Sequence, residues 1–358
     1  MDALFHLAAR AVDKNGIDPN NIDVNSTDPM VIGMSRRYCT VGKCPESWQT
    51  IDYRPTIAGN VIYMLCFFVL FSGQLWFGIR SRAWTFMGTM CAGILGEIVG
   101  YIGRIMLNLN PFLMNNFLVN LIPLTLAPAL LTAGIYLCLG RVIVAIGSEN
   151  SRLKPKMYTY IFISCDVLAL ILQGVGGGMA ATGKDAKGSK RGVDIMIAGL
   201  ISQVITMTLF LALWADFALR TRRARLSGSL ARSQPPLYEQ LRAYKTFALF
   251  QWALFAATIF IYVRCIYRVA ELWDGFNGHL ANDEVTFMIF EGPMVILAVT
   301  ALTIFHPGRV FGDLWVPAGK GVRSMGKLSD DREASIQLNE AEWNSTAYQR
   351  VEQPSNVV

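Results

Sequence analysis

Residues 97–104 read "EIVGYIGR" and lie inside the apolar run "AWTFMGTMCAGILGEIVGYIGRIMLNL". A carboxylate can neutralise an ammonium group, and a guanidinium can hold a carboxylate or a phosphate. Glu97, Tyr101 and Arg104 fall at i, i+4 and i+7, on one face of a helix. The same spacing recurs elsewhere. Asp166 and Gln173 are seven apart in "DVLALILQGVGGG". Arg264, Arg268 and Glu271 form a stripe in "RCIYRVAE", with Tyr267 beside it, and Glu284 and Glu291 are again seven apart. An ionised side chain at the centre of a bilayer costs about 2.5–3.5 kcal/mol on insertion scales. These faces are therefore expected to point at other helices or at water. Two readings stay open: an ion-pair network that keeps helices in register, and a polar path or headgroup site. The expected partners of Glu97 are Arg264 or Arg268. Those of Arg104 are Asp166, Glu284 or Glu291.

Other chemistries find little support. His6, His279 and His306 fall in the N-terminal segment, an outer loop and the end of the last apolar run, and cannot converge on one metal. Cys66, Cys91, Cys138, Cys165 and Cys265 lie in apolar windows and read as small packing residues. Gly174, Gly176, Gly177 and Gly178 lack the following Lys-Ser/Thr of a phosphate loop and read as a close-packing surface. No cofactor, nucleic-acid partner or enzymatic activity is expected.

The elements that must position these residues follow from hydropathy. The chain is 53% hydrophobic and 16% charged, against about 25% charged in soluble proteins. Windows long enough to cross about 30 Å of hydrocarbon occur at 57–79, 84–107, 117–146, 157–180, 193–219, 244–272 and 285–305. The expected fold is all-α: seven transmembrane helices over 57–308, an extracellular segment over 1–56, and a cytoplasmic, largely disordered tail over 309–358. Pro123 and Pro128 should tilt or kink the third span, and Gly292-Pro293 beside Glu291 is placed to break the seventh. The loops after spans one, three and five carry twelve Lys and Arg residues, against four in the loop after span four. This puts the N-terminus outside and the C-terminus in the cytoplasm. Asn25-Ser26-Thr27 is then a glycosylation sequon on the outer side, and Cys39 and Cys44 are expected to form a disulfide there. The basic loop over 220–245 can contact anionic inner-leaflet lipids.

"EIVGYIGR", "APALLTAGIYLCLGR", "DVLALILQGVGGG", "RCIYRVAE" followed by Gly278 and Glu284, and the closing "HPG" at 306–308 together resemble the fungal lipid-translocating exporter family. This family includes yeast sphingoid-base exporters and proteins conferring resistance to 7-aminocholesterol. The likeness runs from about Tyr53-Arg54-Pro55 to Gly308. Where the family has Asp in "F-D-x-P-M", this chain has Phe290, Glu291, Gly292, Pro293 and Met294, so the carboxylate is kept on a longer stem. The resemblance implies a seven-span protein, often of the plasma membrane, that exports or translocates amphipathic lipids such as sphingoid long-chain bases. The alternative is a seven-helix receptor or regulator of lipid asymmetry. Asn-Pro-x-x-Tyr in span seven and Asp/Glu-Arg-Tyr after span three, which a receptor would suggest, do not occur.

Overall fold

A backbone in hydrocarbon must satisfy its own N–H and C=O groups, and a helix does so within one segment. The seven apolar stretches accordingly run as helices in a computed structural model, which describes residues 53–182, 186–228, 236–275 and 278–320 together with Tyr38, Cys39, Gly42, Cys44, Pro45, Trp48 and Gln49. The first six are α1 (Ile57–Arg80), α2 (Trp84–Leu109), α3 (Met114–Ile146), α4 (Pro155–Thr182), α5 (Ala186–Leu226) and α6 (Lys245–Leu272). The seventh span is divided into α7 (Glu284–Phe290) and α8 (Gly292–Ile304). All seven are long and apolar enough to cross a membrane. The protein is a multi-pass membrane protein, and no strand occurs among the described residues.

Several boundaries differ from the hydropathy windows for a physical reason. The 41 residues of α5 span about 60 Å at 1.5 Å per residue, twice a hydrocarbon core. Its charged ends, with Lys187, Lys190 and Arg191 at one and Arg220, Arg222 and Arg223 at the other, continue the helix beyond the apolar part.

The helices are buried unequally. In its most apolar stretch α3 is 78% buried and α1 only 17%, so α3 is the central post and α1 a peripheral one. Neighbours in sequence pack together, α2 with α1 and α3, and α4 with α3 and α5, while α8 returns to pack on α6 and α1. The α4–α5 pair approaches closely because it is glycine-lined. A Cβ on Gly176 would meet the Met196 N and Gly192 O backbone atoms, and one on Gly192 would meet the Ala180 backbone. The core between the helices is aromatic toward the end where α3 finishes, with Tyr136, Phe162, Phe210, Phe250 and Phe311 buried together.

The packed chain continues past Gly308, the expected end of the membrane domain. Short helices at Pro307–Phe311, Gly312–Leu314 and Trp315–Lys320 fold back on the bundle. Trp315 is buried there, and the Arg141 guanidinium lies 3.2 Å from its ring centroid. Residues 321–358 of the expected tail lie outside the described residues, as does Asn25. At the other end, Cys39 and Cys44 are disulfide-bonded and pack with Trp48 and Phe112. The Asn110 amide donates to the Cys39 carbonyl at 3.2 Å.

Candidate functional site

Proline leaves one helix carbonyl without its donor, four residues upstream. For Pro128 that carbonyl belongs to Leu124. Arg264 of α6 donates to it through Nη2, and the same guanidinium is ion-paired with Glu291. Both charged side chains are fully buried, at 1% and 0% exposure. Glu291 can reach Arg264 because the seventh span breaks at it: Glu291 ends α7 and begins α8, and Pro293 sits in the first turn of α8. Gly292 is required at this break, because Tyr101 and Tyr63 press on its backbone. A Cβ there would lie 2.7 Å from the Tyr101 hydroxyl and from Tyr63 Cδ2. The Tyr63 hydroxyl donates to the Met288 carbonyl at 2.8 Å, just before the break.

Glu97 of α2 is also fully buried, and neither of its oxygens has a hydrogen-bond partner among the described residues. The charges acting on it are those of Arg264, Glu291 and Arg268. The expected pairing of Glu97 with Arg264 is therefore not direct, since Arg264 is turned to Glu291 and the Leu124 carbonyl. Arg268 is paired with Glu271, three residues on in the same helix, and its Nε and Nη2 are buried without partners. The hydroxyl of Tyr101, four residues after Glu97, is likewise buried and unpartnered. A set of unpaired buried polar atoms thus collects where α2, α6 and the α7–α8 break meet.

Arg104 lies on the same face of α2 but is used differently. None of the three expected acids binds it. Its Nε donates to Asn60 Oδ1 at 3.1 Å and its Nη2 to the Tyr53 hydroxyl at 2.9 Å. Its guanidinium lies 3.8 Å from the centroid of the Phe287 ring. Burial raises the Tyr53 hydroxyl above its usual pKa even though Arg104 opposes the shift, so Tyr53 accepts this bond as a neutral phenol. Glu284, expected beside Arg104, instead accepts from the Thr56 N–H at 2.5 Å and from its hydroxyl at 3.1 Å. It thereby ties the start of α1 to the start of α7. Gln74 of α1 donates to Thr303 of α8 at 2.8 Å, which fastens the same pair of spans at the far end.

Asp166 of α4 faces α3. One of its oxygens accepts from the Thr132 hydroxyl at 2.9 Å and the Tyr136 hydroxyl at 3.0 Å, while the other is buried without a partner. Gln173, on the same face of α4, donates to Gln203 of α5 at 3.1 Å. Sequence reasoning did not single out Asn60, Tyr63, Thr132 or Tyr136, because neutral polar residues in apolar runs are common, and it named Tyr53 only as the edge of the family likeness. It could have found the Leu124 carbonyl, since Pro128 four residues later marks it.

The arrangement has two parts. Glu291, Glu271 and Asp166 are each held by a cation or by hydroxyls, and Glu97 is held by neither. An unpartnered carboxyl in a dry interior is suited to receive a cation that arrives with its own apolar surface.

A family model described as "RTA1 like protein" matches residues 90–313. The chain is 33% identical over 279 residues to the sphingoid long-chain base transporter RSB1 of Saccharomyces cerevisiae, covering 72% of this chain and 73% of that protein. It is 28% identical to the same yeast's protoporphyrin uptake protein 1, covering 62% and 68% of the two chains. It is also 29% identical to protein RTM1 from that yeast, covering 62% and 67%. No solved structure matches the chain.

Proposed function

We propose that this chain, which belongs to the family of RTA1-like proteins, moves amphipathic lipids with a cationic headgroup across a membrane, with sphingoid long-chain bases as the favoured cargo. The observation that carries this reading is Glu97, a fully buried carboxyl with both oxygens unpartnered. A sphingoid base brings one ammonium group and an apolar chain. The ammonium brings a positive charge, which is what Glu97 and the free oxygen of Glu291, all without a partner, can receive. The chain can stay in lipid beside the peripheral helix α1, whose outward face carries Ile62, Leu65, Phe68 and Val69. Arg264 pairs with Glu291 and Arg268 with Glu271, so the polar surroundings persist when no cargo is bound.

The relatives' names support amphipathic cargo of more than one kind, a long-chain base and a porphyrin. The loop charges favour an N-terminus outside and a C-terminus in the cytoplasm; the resemblance to lipid-translocating exporters favours the plasma membrane as the site of action, with resistance to toxic amphipaths as the consequence. The reading involves no enzymatic step. Flux of a fluorescent sphingoid base in liposomes containing only the purified protein tests it. Transfer between leaflets well above protein-free liposomes is expected. Transfer at the protein-free rate would make the chain a receptor or regulator instead.

A further inference from the structure

Charge buried in a medium of low dielectric has to be balanced locally. The described interior does not balance if every side chain is ionised. Around Glu97 the buried cations are Arg264 and Arg268 and the buried carboxyls are Glu97, Glu271 and Glu291, whereas Arg104 and Asp166 have their own neutral partners in Asn60 and Tyr53 and in Thr132 and Tyr136. His306 is buried too, but its Nδ1 accepts from the Gly308 N–H at 3.2 Å, which requires an unprotonated nitrogen and a neutral ring. One carboxyl is in excess. Glu291 and Glu271 sit in ion pairs, Asp166 accepts from two hydroxyls, and Glu97 has none of these. The excess therefore falls on Glu97.

The groups that face Glu97 define its alternatives. Arg264 and Arg268 come from α6 and Glu291 from the α7–α8 break. Tyr101 lies on its own helix, with Tyr63 of α1 edge-on to it at 5.6 Å between ring centroids. From α3 this stretch of α2 meets Leu124, Ala127 and Leu131, which carry no charge. Both arginines are already committed to other carboxylates. Only a proton or one further monovalent cation can complete the balance.

We propose that Glu97 carries a proton when the site is empty and exchanges it, one for one, for the cationic headgroup, making the protein an electroneutral proton–amphipath exchanger. This rests on the transport reading above and adds its coupling ion. In the loading step the O–H bond of the Glu97 carboxyl breaks and the proton leaves to water on the side to which the site is open. The carboxylate that remains pairs with the ammonium. On the opposite side the cation leaves and the carboxyl takes a proton from water. Interior charge is the same in both loaded forms, so neither crossing form carries an uncompensated charge. The proton gradient supplies the free energy, and no nucleotide is needed.

The probe is an NBD-labelled N,N,N-trimethylsphingosine, whose quaternary ammonium cannot itself carry a proton. Purified protein is reconstituted in liposomes, and the leaflet ratio of the probe is read by dithionite quenching. A 1:1 exchange under an imposed difference of one pH unit should drive the probe toward the acidic side to a ratio of about tenfold at steady state. A potassium–valinomycin potential at equal pH should leave the ratio at one. Glu97→Gln, in protein that elutes as wild type does on size exclusion, should lose the response to pH. In detergent, independently of reconstitution and of any variant, probe binding to the wild-type protein should release about one proton per molecule bound. Protein-dependent transfer that ignores the pH difference, or follows the electrical potential, overturns the exchange while leaving the transport reading intact. Absence of any protein-dependent transfer overturns both.

Discussion

Arg264 is the buried cation that serves both a carboxylate and a helix carbonyl, and its removal gives a graded test of the interior. Arg264→Met keeps most of the volume and removes both bonds. Breaking one side of a buried ion pair costs about 3–5 kcal/mol, here borne by the fully buried Glu291. The Leu124 carbonyl, which Pro128 cannot serve, loses its donor as well, adding about 1–3 kcal/mol for an unsatisfied buried acceptor. The expected loss is about 4–8 kcal/mol. The double variant Arg264→Met/Glu291→Met removes both charges together and should recover most of the ion-pair part, because apolar replacement of a whole buried pair is often close to neutral. Pro128→Ala restores an N–H four residues after Leu124, so in that background Arg264→Met should cost about 1–3 kcal/mol less. Unfolding in mixed micelles, followed by tryptophan fluorescence, measures each corner of these cycles. An Arg264→Met protein within about 1 kcal/mol of wild type would refute the reasoning. So would a double variant no more stable than the single one.

Three further outcomes are expected. A tag after Val358 should be inaccessible from outside intact cells, and of the sequons Asn25-Ser26-Thr27 and Asn344-Ser345-Thr346 only the first should carry an N-linked glycan; the opposite pattern would reverse the proposed orientation. Mass spectrometry of unreduced protein should show Cys39 and Cys44 protected from alkylation, whereas two alkylated thiols would contradict the bridge. Asp283 caps α7 by accepting from the Val285 N–H at 3.1 Å and from Thr286, and the Thr286 bond is the main cause that holds its carboxyl below the usual pKa. A depressed folded pKa contributes stability above the unfolded value and loses it as pH falls through the folded one. Asp283→Ala should therefore lower Tm at neutral pH, and the gap to wild type should close on acidification below that depressed value. A gap that stays constant with pH would assign the cap no ionic component.

Hydropathy was enough to read seven spans, because about twenty apolar residues are needed to cross and few other folds supply them seven times. It misjudged where helices end. Hydrocarbon thickness limits the apolar part of a span but not the helix, as the charged extensions of α5 show. The break at Glu291 was legible from Gly292-Pro293, which cannot both fill and hydrogen-bond a regular turn. The buried polar faces were legible from seven-residue spacing together with the cost of charge in lipid. Partners were not. Spacing gives a face and a depth, and any acid at that depth then looks eligible for Arg104. What holds Arg104 is neutral, Asn60 and Tyr53, with the Phe287 ring beneath it. Arg264 turned away from Glu97 because the Pro128 carbonyl defect and the Glu291 break lie on the same side of α6, a coincidence of three helices that no single window contains.

The most direct test compares cationic and neutral cargo in one preparation. Liposomes with the purified protein would carry either an NBD-labelled sphingoid base or an NBD-labelled ceramide of equal chain length, and transfer between leaflets would be timed by dithionite. The expected result is protein-dependent transfer at least about tenfold faster for the base, equivalent to about 1.4 kcal/mol of selective stabilisation, with that preference lost in Glu97→Gln. Equal rates for the two lipids, or an unchanged preference in Glu97→Gln, would contradict the assignment of the buried, unpartnered carboxyl as the group that receives the headgroup.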